Sequence, residues 1–170
     1  AGNLNSICKA FEHIGFTTEI IEEKTDTDKY EAVVLPGVGA FPGAMDRLRA
    51  NNLVEFIKEF VKTNKPMLGV CLGMQLLFEW GYEDTKTKGL DLLPGEVVKM
   101  ESSLKIPHMG WNAVGRAEGM DLFAGLREQE HFYFAHSYYA DVSDARAKVA
   151  YTEYGLDIAA SVQKDNIFGV

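Results

Sequence analysis

The stretch "GVCLGMQ", Gly69 to Gln75, sets a thiol between two glycines, directly after one apolar run and directly before another. A nucleophile flanked at two positions on each side by glycine is the pattern of a nucleophile elbow, where a strand turns sharply into a helix. The turn forces the nucleophile into a strained backbone conformation, and the flanking glycines are needed because neighbouring backbone crowds both positions. Cys71 is therefore the candidate nucleophile. A helix starting just after it would favour its thiolate, and the Leu72 amide would point to where an oxyanion forms on an attacked carbonyl.

A second loop, "LPGVGAFPGAM", adds to this chemistry. Gly37, Gly39 and Gly43 let backbone amides approach a ligand closely, and Val38 offers a second donor to the same oxyanion. One nucleophile with two donors suits acyl transfer. The same Gly-x-Gly after a strand has a rival reading as a dinucleotide loop. Its third glycine is at the wrong spacing, and the acidic residue about 20 positions on, Glu59, falls within a helical stripe. The other cysteine, Cys8, has no comparable setting and reads as a core residue.

The elements that would hold these loops are legible from periodicity. Asn5 or Ser6 caps a first helix carrying Ile7, Ala10, Phe11 and Ile14, which Gly15 stops. "FTTEII" reads as a strand, and "YEAVVLPG" as a second one whose unbroken run Ala32 to Leu35 suits a strand covered on both faces. Leu53, Phe56, Ile57, Phe60 and Val61 form a helical stripe, and "KPMLGVC" is a strand running into the elbow. The order helix, strand, strand, helix, strand, helix predicts a flavodoxin-like α/β fold, mostly parallel, with ligand-binding loops at the strand C-termini. Beyond Gly81, "GEVVKM", "HFYFAHSYYADV", "AKVAYTEY" and "IAASVQ" predict a strand-rich second half with hairpins. No linker separates the halves, so residues 1–170 are read as one domain.

Composition narrows the function classes. At 170 residues, with 46% apolar, 25% charged and 11% aromatic content, the chain has the make-up of a soluble globular domain. A formal charge of -8 opposes binding to a phosphate backbone, so nucleic acid is not expected as a partner. No apolar stretch approaches the roughly 20 residues of a membrane span. Two cysteines are too few for a disulfide framework and favour a reducing, cytoplasmic setting. No His, Cys or carboxylate spacing suggests a metal, and no cofactor is expected.

Taken together, "PGVGAF", "GVCLGMQ", "PHMGWN" and "HSY" resemble class I glutamine amidotransferases, and among them the glutaminase subunits of imidazole glycerol phosphate synthases in histidine biosynthesis. The resemblance covers nearly the whole chain. It implies that Cys71 attacks the carboxamide of L-glutamine, forms a glutamyl thioester and releases ammonia to a synthase (cyclase) subunit built as a (β/α)8 barrel. It further implies oxyanion donors at Val38 and Leu72, and glutamine contacts at Gly39, Gln75 and the backbone of Ser137 and Tyr138. The synthase subunit would be met by Pro107, His108, Met109, Trp111, Asn112 and Tyr133.

The family's activating histidine and glutamate belong to a "Q-F-H-P-E" segment that directly follows "N-I-F-G-V", where this sequence stops. The family's first strand is likewise expected before Ala1. The 170 residues are thus read as lacking both, and as inactive alone. None of His13, His108, His131 and His136 is taken as the base. Two rivals remain: a glutaminase serving another biosynthetic synthase, and a noncatalytic subunit of the same fold that only binds a partner.

Overall fold

The structure, a computed structural model, describes residues 4–115 and 119–170. The turn read at residues 1–3 lies outside the described residues. Helix α1 (Leu4–His13) already contains Asn5 and Ser6, so neither is its cap, and Gly15 at φ 94° ends it as expected. No α1 residue is fully buried, and Cys8 is half-exposed, which corrects its reading as core. "FTTEII" does not become a strand. It joins no ladder among the described residues, and alternation without a neighbour to hydrogen-bond cannot hold an extended segment in a sheet.

Strand β1 (Val33–Gly37) leads through Val38 and Gly39 into α2 (Phe41–Ala50), a helix where the sequence reading has only a loop. Pro42 and Gly43 mask it. Proline is at home in a first helical turn, and Phe41, Ala44, Met45 and Leu48 bury one face at helical spacing. Helix α3 (Leu53–Val61) buries Phe56, Ile57 and Phe60 as its stripe predicts, and β2 (Met67–Cys71) runs into α4 (Leu72–Gln75). Next come β3 (Phe78–Gly81), β4 (Thr87–Lys88), β5 (Leu93–Lys99) and β6 (His108–Gly115). The strand-rich second half continues with β7 (Gln129–His136), β8 (Tyr138–Val142), β9 (Lys148–Glu153), β10 (Asp157–Lys164) and β11 (Ile167–Gly169).

These strands form a sheet in the order β1-β2-β11-β10-β9, a second in the order β4-β3-β5-β8, and a ribbon of β6 and β7. The sheets are mixed, not mostly parallel. β1, β2 and β11 run parallel, but β10 opposes them and β9 turns back against β10, and in the second sheet β3 and β5 are the one parallel pair of neighbours. Connection length explains this. Asp165 (φ 51°) and Asn166 alone join β10 to β11, and Tyr154 to Leu156 join β9 to β10. A parallel neighbour needs a crossover of about a dozen residues, so links this short permit only hairpins. β1, expected to be covered on both faces, is the edge of its sheet and stays half-buried up to Gly37.

The main core joins α2, α3 and both sheets through Phe41, Phe56, Phe60, Met67, Phe78 and Leu93, each at most 1% exposed. Burial of each such side chain is worth roughly 1.5–3 kcal/mol. That packing buries the Met67 and Gly69 face of β2 and fixes where its C-terminal end emerges. No helix is long and apolar enough to cross a membrane among the described residues.

Candidate active site

Met67 and Gly69 of β2 are buried, whereas Cys71 at its end is exposed. Cys71 adopts φ 55°, ψ -116°, a conformation a side-chain-bearing residue takes only where its surroundings force it. Those surroundings are the glycines. A Cβ on Gly69 would stand 2.7 Å from the Gly73 carbonyl oxygen, one on Gly73 would overlap the Leu35 carbonyl, and one on Gly37 would lie 2.9 Å from the Leu72 Cβ. The Cys71 amide donates to the Val170 carbonyl at 2.6 Å, tying the elbow to the end of β11.

Parallel pairing of β1 with β2 sets Gly37 opposite Cys71, so the glycine loop and the elbow leave the sheet side by side. Val38 is 54% exposed at the head of that loop, and Gly39 follows at φ 96°. This puts the two expected amide donors, Val38 and Leu72, on neighbouring strand ends. The helix after Cys71 is a single turn of four residues, which is too short for the macrodipole expected to favour the thiolate. Local amides at the turn, not a long helix, are what the fold offers a developing charge.

Cys71 opens into a cavity of about 320 Å³, which Gln75, Tyr133, His136 and Tyr138 also line. Most of the remaining wall is apolar, from Met74, Phe132, Phe134 and Ala159 among others. The Gln75 Nε2 donates to the Tyr138 carbonyl at 3.0 Å, which joins α4 to the start of β8. The Ser137 carbonyl accepts the Met100 amide at 2.9 Å. Gln75 and Tyr138, 63 residues apart, are thereby held as one wall, and Ser137 is fixed behind it. Burial raises the pKa of Tyr138, with the charges of Glu83 and Asp84 adding to it, so its phenol is neutral at pH 7.

The residues expected to meet a partner divide into two sets. Met109, Trp111 and Tyr133 are 63%, 71% and 57% exposed, and the Trp111 and Tyr133 rings meet edge to face across the β6–β7 ribbon. His108 instead turns inward at 2% exposure, and Asn112 is tied to its own fold through the Glu153 carbonyl at 2.8 Å. Pro107 precedes the ribbon through a cis bond from Ile106. From His108 onward "PHMGWN" belongs to strand β6.

Among the histidines, His13 and His131 are exposed. His136 reaches the cavity, but its Nδ1 lies 2.9 Å from the Tyr138 carbonyl and its Nε2 lies 3.1 Å from the His108 Nδ1. Burial lowers the pKa of both His108 and His136; the His136 ring adds to the lowering at His108, while the Tyr138 carbonyl only partly opposes it at His136, so both are neutral at pH 7. With both nitrogens engaged, His136 has no lone pair to offer Cys71. Among the described residues no three His, Cys, Asp or Glu side chains gather as a metal site.

Sequence reasoning passed over Glu83. Its carboxylate accepts the Phe41 amide at 2.7 Å and so fixes the start of α2 immediately after the glycine loop. A lone acid in the turn "GYED" carries no signal of that contact, because the partner amide lies 42 residues away. The Val170 carbonyl beside Cys71 was equally invisible.

Comparison with known proteins bears on all of this. The family model described as "Glutamine amidotransferase class-I" matches residues 1–170. The chain is 43% identical over 169 residues to the imidazole glycerol phosphate synthase subunit HisH of Moorella thermoacetica, covering 99% of this chain and 80% of that protein. It is 46% identical over 171 residues to subunit HisH 1 of Campylobacter jejuni, covering 99% and 85%. Among solved structures, a glutamine amidotransferase superposes with a TM-score of 0.75 at 14% identity, covering 99% of this chain and 83% of that one. The PurLQS structure from Thermotoga maritima gives a TM-score of 0.72 at 20% identity over 98% and 79%. At such identities these two speak for the fold alone.

Proposed function

The chain belongs to the class I glutamine amidotransferases, and from that premise we propose that it is the glutaminase subunit of an imidazole glycerol phosphate synthase. The reading treats residues 1–170 as part of a single catalytic domain acting in the cytoplasm. The observation that carries it is the strained Cys71, held at φ 55° between Gly69 and Gly73 at the mouth of a cavity walled by Gln75 and Tyr138.

In this mechanism the Cys71 thiolate attacks the side-chain carboxamide carbon of L-glutamine. The carbonyl π electrons move onto oxygen, where the Val38 and Leu72 amides stabilise the charge. Collapse of the tetrahedral species breaks the C–N bond, and the nitrogen leaves as ammonia after taking up a proton. Water then attacks the thioester, returns the thiol and frees glutamate. Gly39, Gln75 and the Ser137–Tyr138 backbone hold the glutamine. The Val170 carbonyl accepts the Cys71 amide, which lays the end of β11 directly beside the elbow.

Ammonia is consumed by a synthase subunit of (β/α)8 form. Protonation in water would waste it, which favours a docked partner that closes the route. The exposed Met109, Trp111 and Tyr133 support this face of the ribbon as the contact, because Trp, Tyr and Met are enriched at interfaces relative to the rest of a protein's surface. The test is labelling of the full subunit, bound to its synthase, with a glutamine-shaped electrophile. Modification at Cys71, blocked by glutamine, is expected. Partner binding with Cys71 unlabelled would instead make this a noncatalytic subunit, and activity only with a different synthase would reassign the pathway.

A further inference from the structure

The β6–β7 ribbon ends where His108 pairs with His136, and one residue later the chain leaves the ribbon for the second sheet as β8. At that break the hydrogen bonds form a continuous chain. His136 Nδ1 faces the Tyr138 carbonyl, which also receives Gln75 Nε2, while His136 Nε2 faces His108 Nδ1.

Only one arrangement of protons satisfies these contacts with both rings neutral. A carbonyl oxygen can only accept, so His136 Nδ1 carries its hydrogen. His136 Nε2 is then a bare acceptor, and His108 Nδ1 must carry the hydrogen that points at it. Both imidazoles are therefore locked as the Nδ1–H tautomer, which is the less populated form of a free neutral histidine. The His108 ring is clamped in addition between Tyr154 and Phe134, with centroids at 3.9 Å and 4.7 Å and planes tilted by 20° and 14°.

We propose that His108 and His136 form a positioning pair for the glutamine site: His108 holds His136 in a fixed tautomer, and His136 fixes the Ser137–Tyr138 backbone against which Gln75 is held. This rests on the glutaminase reading above. The pair contributes order and neither proton transfer nor nucleophilic attack. Three bonds converge on two peptide units here, from Met100 to the Ser137 carbonyl and from Gln75 and His136 to that of Tyr138. The His136 bond is the one that spans the break between ribbon and sheet. Without it the Ser137–Tyr138 backbone keeps its bonds to Met100 and Gln75 but loses its side-chain tie to the ribbon, and its contacts to substrate loosen before any chemistry begins.

Two measurements test the pair. The first uses the unmodified full subunit: long-range nitrogen–hydrogen NMR correlations of histidine at pH 7 should give the Nδ1–H pattern for both rings, and an Nε2–H pattern at His136 overturns the proposal. The second is glutamine kinetics in the complex with the synthase subunit. His136→Asn keeps a donor near the Nδ1 position and should stay within about threefold of the wild-type KM, whereas His136→Leu should raise KM about tenfold, the equivalent of one lost hydrogen bond. His108→Phe preserves the stack but removes the donor to His136, and should fall between them.

If Asn and Leu variants both lose kcat by orders of magnitude at unchanged KM, His136 is acting on the reacting atoms, and the positioning role is wrong. Equal KM values across all four proteins also overturn it. A wild-type complex that releases no ammonia removes the glutaminase reading itself, which is a different failure from a working wild type with indifferent variants. Should His136→Leu fail to fold, the NMR pattern and the His108→Phe kinetics still decide.

Discussion

Glycine serves opposite purposes in the elbow and in the ribbon. Gly73 is required for space, since a Cβ there would run into the Leu35 carbonyl, whereas Gly110 sits at φ 144° with nothing within 4 Å of where its Cβ would be. The elbow is crowded and buried beneath an exposed thiol. The ribbon turns Met109, Trp111 and Tyr133 to solvent. One region holds a reactive group by leaving no room for alternatives, and the other presents a face that becomes complete only against another surface. Chemistry needs the first kind of rigidity, and docking tolerates the second kind of openness.

The most severe break of this comparison is at the thiol. Cys71→Ala should lower ammonia release by at least about a thousandfold in the complex, because no other group can form the thioester. Its far-UV spectrum and unfolding midpoint should be nearly those of the wild type, since Cys71 is exposed and alanine fits the turn. Residual turnover at a tenth of the wild-type rate would remove Cys71 as nucleophile.

The two glycines give the next largest contrast. Gly73→Ala should destabilise the fold by about 3 kcal/mol or more, as overpacking against backbone leaves no flexible side chain to yield. Gly110→Ala meets only conformational strain and should cost roughly 1–2 kcal/mol. Denaturant unfolding of both variants measures the difference. Equal costs would mean that the elbow relaxes more easily than its contacts allow.

Much of the elbow was legible because its meaning is local. Cys71, Gly69 and Gly73 lie within five residues, and the strand before them is an apolar run. The same locality exposed α3 through its stripe. What stayed hidden depends on contacts across the chain. Glu83 meets Phe41 from 42 residues away, and Gln75 meets the Tyr138 carbonyl from 63. The mixed sheet is hidden for a related reason: a strand's direction is set by the length of its connection, and the two-residue link Asp165–Asn166 shows as a hairpin only once both strand ends are known. Pro42 concealed α2 because the same residue punctuates loops and begins helices. That Trp111 and Tyr133 face each other across the ribbon depends on the register of β6 with β7, which no local pattern sets.

The ribbon face supplies a prediction about association. Trp111→Ala should weaken binding to the synthase subunit by about 2 kcal/mol, as expected of an aromatic anchor filling a partner pocket. Because the ring is 71% exposed in the free chain, the unfolding midpoint should hardly move. Titration calorimetry beside denaturant unfolding separates the two effects. A variant that loses stability and keeps its affinity would make the ring a packing residue and shift the interface elsewhere.

The smallest expected effect lies away from both regions and asks whether the sheet that ends beside the thiol is stiffened from its far edge. Asp144 precedes β9, and its carboxylate meets Lys164 at 2.5 Å, at the end of β10, while accepting the Arg146 amide at 3.0 Å. The hydrogen bond from Lys164, then that from Arg146, lowers the Asp144 pKa below its ordinary value. A carboxyl whose folded pKa is depressed adds stability above its unfolded pKa, and that stability is lost as pH falls through the folded one. The loss should therefore begin near the usual aspartate range of about 4 and continue below it. Asp144→Asn removes the charge, so its stability should decline less steeply than that of the wild type between about pH 4 and pH 2. Unfolding followed across that range measures the slope. At pH 7 the variant should label at Cys71 as fast as the wild type, because the ion pair acts on the β8–β9 connection and not on the elbow. Slower labelling would mean that strain at this edge reaches the thiol through β10 and β11, and that the elbow's rigidity is not its own.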